Sequence, residues 1–241
     1  MSATPTNKLI VALDVDSHKK ALILAEQLKG LVGFFKVGME LFYSAGVGMV
    51  RDLTSFGTGV FLDLKMHDIP HTVAQAARVL VNSRAAIINV HASGGAEMMR
   101  FAADAVREEA GRLNMPAPLV IAVTVLTSID KSIYQNELGF SGEISERVCT
   151  WAELANNAGL DGVVCSPQEI RLVREACGPK FVIITPGIRP AGAQIGDQRR
   201  VMTPREAILA GASYIVVGRP ITEADDPAKA AKAILKEIAE A

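Results

Sequence analysis

The sequence predicts an α/β fold, a single (β/α)8 barrel formed by residues 1–241. Three observations point there. Eight short runs rich in Val and Ile recur along the chain, and each is followed by a stretch of helical pattern. The runs are apolar throughout rather than alternating, as strands covered on both faces are. The length of 241 residues suits one such barrel, and no stretch inside the chain has linker or low-complexity composition.

The expected strands are Leu9–Asp14, Phe34–Gly38, Val60–Leu64, Ile87–Ala92, Leu119–Leu126, Gly162–Ser166, Phe181–Gly187 and Tyr214–Arg219. The expected helices are Ser17–Lys29, Glu40–Ser55, Pro70–Ser83, Gly94–Leu113, Glu143–Ala158, Pro167–Ala176, Pro204–Ala210 and Pro227–Ala239. The punctuation agrees with this division. Ser166-Pro167-Gln168-Glu169 and Thr203-Pro204-Arg205-Glu206 have the form of capping boxes with proline at the first helical position. Asp226-Pro227 is a similar cap, and Gly159 and Gly211 follow helical runs where a left-handed residue is wanted. The repetition is one of pattern, with no sequence repeat at a fixed period.

Composition narrows the partners. The chain is 49% hydrophobic and 21% charged, with a net charge of −1. That balance gives no reason to expect nucleic acid or an anionic membrane. A phosphorylated small ligand needs only a local basic pocket. Cys149, Cys165 and Cys177 show no C-x-x-C spacing and read as reduced thiols of a cytoplasmic protein, without a metal or redox part. Met1–Lys8 lacks the basic-then-apolar pattern of a signal peptide, and apolar runs such as Ala117–Leu126 fall far short of a membrane span.

In such a barrel the chemistry belongs at the C-terminal ends of the strands. The richest end is Phe61–Thr72, which reads as strand, short charged loop and helix. Strand alternation turns Asp63 and Lys65 to one face and Leu64 to the other. Asp68 follows where the strand has run out, and Ile69-Pro70 leads into the next helix. Two carboxylates beside an ammonium favour its charged form and make a held acid. A structural ion pair at a strand end is the plain alternative. Lys36, in the apolar Phe35-Lys36-Val37, would extend the charges into a row with Asp63, Lys65 and Asp68; the plain alternative is a lysine reaching to solvent. Asp14 ends the first strand, placed to hold a ligand hydroxyl or to serve as a turn residue or cap.

Two Gly/Arg pairs, Gly187–Arg189 and Gly218–Arg219, fall in the loops after the seventh and eighth strands. Barrels often bind phosphate there, where glycine admits backbone N–H groups and arginine offers a bidentate fork. Between them Pro190–Arg200, with Gln198, has the length and glycine content of a closing lid or of a disordered loop. Thr127 and Ser128 could read a heterocycle's edge or serve only turn chemistry. His91 could touch a ligand but reads more readily as a hydrogen-bonded structural histidine, and His67 and His71 carry no catalytic assignment. No His, Cys or carboxylate set has zinc spacing, and no serine has a nucleophile elbow.

Asp63-x-Lys65-x-x-Asp68-Ile69-Pro70-x-Thr72 resembles the signature of orotidine 5′-phosphate decarboxylase. Asp-x-Lys-x-x-Asp alone is shared with related phosphosugar enzymes; Ile-Pro-x-Thr is the specific part. The resemblance extends to Val11–Asp14, Lys36–Phe42, Asn89–Ala92, Thr185–Arg189 and Val216–Thr222. It implies cofactor-free conversion of orotidine 5′-phosphate to uridine 5′-phosphate and carbon dioxide, by a homodimer with shared sites. By resemblance, Lys65 stabilises the carbanion and donates the proton, and Asp63 lies beside the departing carboxylate. Asp68 comes from the other subunit, Lys36 and Asp14 hold the ribose, and Thr127 with Ser128 faces the pyrimidine. Gly218 and Arg219 hold the phosphate, Arg189 and Gln198 lie on or near the lid, and Thr72 counts among the substrate-binding residues. Two other readings stay open. A metal-dependent phosphosugar lyase of the same superfamily would hold, by that resemblance, a magnesium-binding glutamate where Lys36 stands. A non-catalytic phosphate-binding barrel would not need the charges of Asp63, Lys65 and Asp68.

Overall fold

The computed structural model describes residues 4–190 and 201–241. Eight parallel strands pair in chain order, and β8 returns to β1 to close the barrel. They are β1 Leu9–Ala12, β2 Phe34–Gly38, β3 Gly59–Met66, β4 Ile87–His91, β5 Leu119–Val123, β6 Gly162–Val164, β7 Val182–Thr185 and β8 Tyr214–Val217. The α-helices around them are α1 Pro5–Lys8, α2 His18–Leu28, α3 Met39–Ala45, α4 Gly48–Thr54, α5 Pro70–Val81, α6 Gly95–Arg112, α7 Ile144–Asn157, α8 Ile170–Cys177, α9 Pro204–Ala210, α10 Arg219–Thr222 and α11 Pro227–Ala239. This is the (β/α)8 barrel the sequence predicts.

The continuous apolar runs have their cause in two cores. Leu9, Val11, Phe35, Val37, Val60, Leu62 and Ile88 face outward into the layer between sheet and helices. Ile10, Ala12, Phe61, Ile87, Ile121, Ile184 and Val216 fill the barrel's interior. Most of the strands are thus covered on both faces, which removes the polar alternation of a half-exposed sheet.

Several boundaries differ from the expected ones. β1, β5, β7 and β8 stop at Ala12, Val123, Thr185 and Val217, short of the ends of their apolar runs. The reason is packing beyond the ladder. Leu13 and Val125, past the last paired residues, remain 0% and 7% exposed and join the outer core. The helix expected over Glu40–Ser55 is two helices, because Gly46 (φ 72°) closes α3 with its N–H on the Phe42 carbonyl at 2.7 Å. Ser166 does not cap a helix: Pro167–Glu169 forms a 3₁₀ turn before α8, and the buried Ser166 hydroxyl has no partner among the described residues. The other two expected caps form. Thr203 and Glu206 make a reciprocal box at 2.9 and 3.3 Å, and the Asp226 carboxylate accepts the Lys229 N–H at 2.9 Å.

The β5–α7 connection contains a π-helical turn, Ile133–Glu137, that the sequence pattern does not signal. Tyr134 there is buried and stacks on Phe140, and Arg147 of α7 lies over Phe140 while donating to the Tyr134 hydroxyl at 3.3 Å. This cluster pins to α7 the connection that carries Thr127 to the mouth.

Candidate active site

Strand register decides which side chains meet at the barrel mouth. Ala12 pairs with Lys36, Lys36 with Phe61 and Gly38 with Asp63. Phe61 and Ala12 are the last apolar rungs of the interior, and the rungs above them are charged. The Lys36 ammonium lies 2.9 Å from Asp14 Oδ1 and 3.5 Å from Asp63 Oδ2. The Lys65 ammonium lies 2.8 Å from Asp63 Oδ1. Four side chains, one from the segment just past β1, one from β2 and two from β3, therefore form one row of alternating sign: Asp14, Lys36, Asp63, Lys65. Gly38 leaves room for it, since a Cβ at that position would stand 3.2 Å from the Lys36 ammonium and 3.3 Å from Asp14 Oδ1.

The middle of the row is dry. The side chains of Lys36 and Asp63 are 11% and 13% exposed, against 27% for Lys65 and 62% for Asp14. Burial alone would push the Asp63 carboxyl up. The Lys36 and Lys65 ammoniums, with hydrogen bonds from Lys65 and Asn89, outweigh it and hold the carboxyl below its ordinary value. Burial likewise works against the Lys36 charge, and the carboxylates of Asp63 and Asp14 reverse that, so its ammonium titrates above the usual lysine range. Lys36 and Asp63 thus keep each other charged.

Lys65 has a second peculiarity. Its φ is 53°, a left-handed conformation uncommon for a side chain of this kind, in a stretch where β3–β4 pairing slips between Leu62 and Met66. The bulge lets Lys65 present its ammonium to the same carboxylate oxygen that faces Asn89.

A cavity of about 190 Å³ opens beside the row. It is lined by the charged Lys36, Asp63 and Lys65 and by apolar side chains that include Phe61, Val123, Leu126, Val164, Pro186 and Val216. The charged part of the lining can stabilise charge, while the apolar wall can cover a flat ring and exclude water. Thr127 also lines this cavity, whereas Ser128 is exposed next to it. Arg189, half-buried after β7, is held below the ordinary arginine range by burial and by the positive charge of Arg219. Two guanidiniums thus lie within electrostatic reach of each other at the end of the barrel where phosphate was expected.

Asp68 stands apart from the row in its own chain. It is exposed, its Oδ1 accepts the Ile69 N–H at 2.6 Å, and among the described residues it makes no ion pair with Lys65. Thr72 is exposed on the first turn of α5 and is not part of the cavity wall. Gln198 and the expected lid from 191 onward lie outside the described residues. The sequence reading gave Asn89 no role, yet its amide bonds to both Asp63 and the Lys65 backbone. Its signal was a lone amide in an apolar run, which must find partners if buried. His91 packs beside His67 with ring centroids 5.5 Å apart, and burial, His67 and Lys65 all push its imidazole below the usual histidine value.

The fold and the mouth together define a class, a (β/α)8 barrel enzyme with an ion-pair row beside a largely apolar cavity. The chain belongs to the orotidine 5′-phosphate decarboxylase / HUMPS family, whose model matches residues 7–234. It is 58% identical over 232 residues to the orotidine 5′-phosphate decarboxylase of Moorella thermoacetica, covering 96% of this chain and 92% of that protein. That of Syntrophomonas wolfei is 49% identical over 234 residues, covering 97% and 98%. The crystal structure of orotidine 5′-phosphate decarboxylase from Lactobacillus acidophilus superimposes with a TM-score of 0.84 at 42% identity, covering 95% of this chain and 98% of that one. Among the described residues no helix is long and apolar enough to cross a membrane, and no group of three or more His, Cys, Asp or Glu is placed to hold a metal ion.

Proposed function

We propose that this chain, working over residues 1–241 as a single barrel domain, decarboxylates orotidine 5′-phosphate to uridine 5′-phosphate in de novo pyrimidine synthesis, as a cytoplasmic homodimer without a cofactor. The observation that carries the reading is the Asp14–Lys36–Asp63–Lys65 row beside the apolar wall. Family membership supplies the substrate.

In this reading the pyrimidine lies against the apolar wall with its carboxylate toward Asp63 and Lys65. The bond from C6 to the carboxylate breaks, carbon dioxide leaves, and the electron pair stays on C6. The Lys65 ammonium stabilises that pair and then delivers a proton to C6, leaving a neutral amine that solvent reprotonates. The row needs little reorganisation for this, because its charges are already paired and fixed before substrate arrives. Lys36 and Asp14 hold the ribose hydroxyls, Thr127 with Ser128 faces the ring, and Thr72 contributes from the start of α5. Arg219 and Gly218, with Arg189 and Gln198, hold the phosphate, whose binding energy helps to close the site over the ring.

Metal chemistry is disfavoured by the donor set. An ammonium already occupies the place between Asp14 and Asp63 where a cation would have to sit. Asp68 serves the partner's site in the proposed dimer. Its exposure fits that role, as do the exposed Met39, Tyr43 and Ile69 on the neighbouring segments after β2 and β3.

An ultraviolet assay tests the assignment, since loss of the carboxylate changes the pyrimidine's absorbance. The wild-type protein should consume orotidine 5′-phosphate and release uridine 5′-phosphate; no turnover at high protein concentration would sink the reading. The same assay tests the phosphate anchor. Arg219→Ala should lose ~10²-fold or more in kcat/KM with the phosphorylated substrate, as charge-assisted contacts to an anion imply. The slow reaction of unphosphorylated orotidine should barely change. Equal losses for both would remove Arg219 from the phosphate site.

A further inference from the structure

The bent end of β3 needs a device to hold it, and Asn89 fits. Asn89 is 1% exposed, on the inner face of β4 opposite the bulge. Its side-chain oxygen accepts the Lys65 backbone N–H at 2.7 Å. Its side-chain nitrogen donates to Asp63 Oδ1, also at 2.7 Å. The orientation of the amide is forced: the reverse would set oxygen against carboxylate and N–H against N–H. Asp63 Oδ1 is therefore shared between the Asn89 amide and the Lys65 ammonium. Lys65 meanwhile holds a φ of 53° in the middle of a slipped register, so its backbone N–H depends on the Asn89 oxygen rather than on a regular ladder.

We infer that Asn89 is a positioning residue for the decarboxylation, clamping the Lys65 backbone and the Asp63 carboxylate with one amide so that the ammonium and its counter-ion are fixed relative to each other. The inference rests on the reaction proposed above. A buried amide that only closed the β3–β4 seam would need no contact with the carboxylate that pairs with Lys65. Here one planar group sets the spacing between the backbone that carries the acid and the oxygen that holds its head. A shift of about 1 Å in such a pair is expected to cost ~10²-fold in rate.

Two variants test this, Asn89→Ala and Asn89→Asp. Asn89→Ala removes both bonds. Its kcat should fall ~10–100-fold, as for loss of an outer-shell orienting group, while KM and the dissociation constant for uridine 5′-phosphate by calorimetry stay within about threefold. Asn89→Asp keeps the shape and the acceptor for the Lys65 N–H, so it should fold even if Asn89→Ala does not. It replaces the donor to Asp63 with a second carboxylate, and two carboxylates this close share a proton. Its kcat should therefore rise with pH across a range where the wild type is flat. Asn89 is merely structural if both folded variants lose melting temperature yet keep wild-type kcat and a wild-type pH profile, and so is it if Asn89→Asp alone folds and does the same. Wild-type enzyme in the same assay separates the two claims: an inactive wild type overturns the proposed reaction, whereas an active wild type matched by its variants overturns only the clamp.

Discussion

Lys65→Ala should reduce kcat for orotidine 5′-phosphate by more than the ~10²–10⁴-fold usual for a general acid. Two roles are lost together. In the proposed reaction the Lys65 ammonium, 2.8 Å from Asp63, both supplies the proton and carries the charge that stabilises the developing carbanion. With it gone, the largely buried Asp63 keeps, among the described residues, Lys36 at 3.5 Å as its cationic partner. Binding of uridine 5′-phosphate should survive, because the apolar wall, Lys36 and the two arginines remain. The signature is a collapse of kcat at nearly constant product affinity, measured by the ultraviolet assay and by calorimetry. A variant that keeps a tenth of the wild-type rate would show that Lys65 is not the acid.

Mixing two dead variants should restore activity. Lys65→Ala and Asp68→Ala proteins are each expected to be nearly inactive. Asp68 is exposed and bonded to its own turn, not to the Lys65 of its chain. If it acts across a two-fold dimer, a hybrid has one site with both lesions and one with neither. After joint unfolding and refolding, random pairing makes about half of the dimers hybrids, so roughly a quarter of all sites are wild type. Activity should return toward a quarter of the wild-type value. If Asp68 acts within its own chain, every site keeps a lesion. A mixture as dead as its parents, with hybrids demonstrated by differential tagging, would sink the shared site.

The barrel was legible because burial on both faces leaves a plain mark, eight apolar runs divided by helix caps such as Thr203–Glu206 and Asp226. Strand ends were not, because Leu13 and Val125 continue the apolar pattern past the last paired residue to pack on the core. Nor was the break at Gly46 separable from a glycine tolerated within one long helix. Within the site, alternation alone set Asp63 and Lys65 on one face, and an ammonium in the apolar Phe35-Lys36-Val37 marked itself out. The Asp14–Lys36 contact spans 22 residues and depends on the register that pairs Ala12 with Lys36, which no local pattern encodes. The left-handed backbone of Lys65 was invisible for a related reason. Lysine has no preference for that region, and it is the bulge against β4 and the Asn89 amide that accompany it there.

In the proposed reaction the protein's own fixed charges, with no metal, carry the loss of carbon dioxide. The most direct measurement is turnover of orotidine 5′-phosphate by wild-type protein after exhaustive dialysis against a chelator, assayed with chelator still present. The charge row predicts an unchanged rate, since Lys36 stands where a cation would have to bind. Loss of activity, restored by added magnesium, would overturn the metal-free reaction and move the chain to a metal-dependent chemistry.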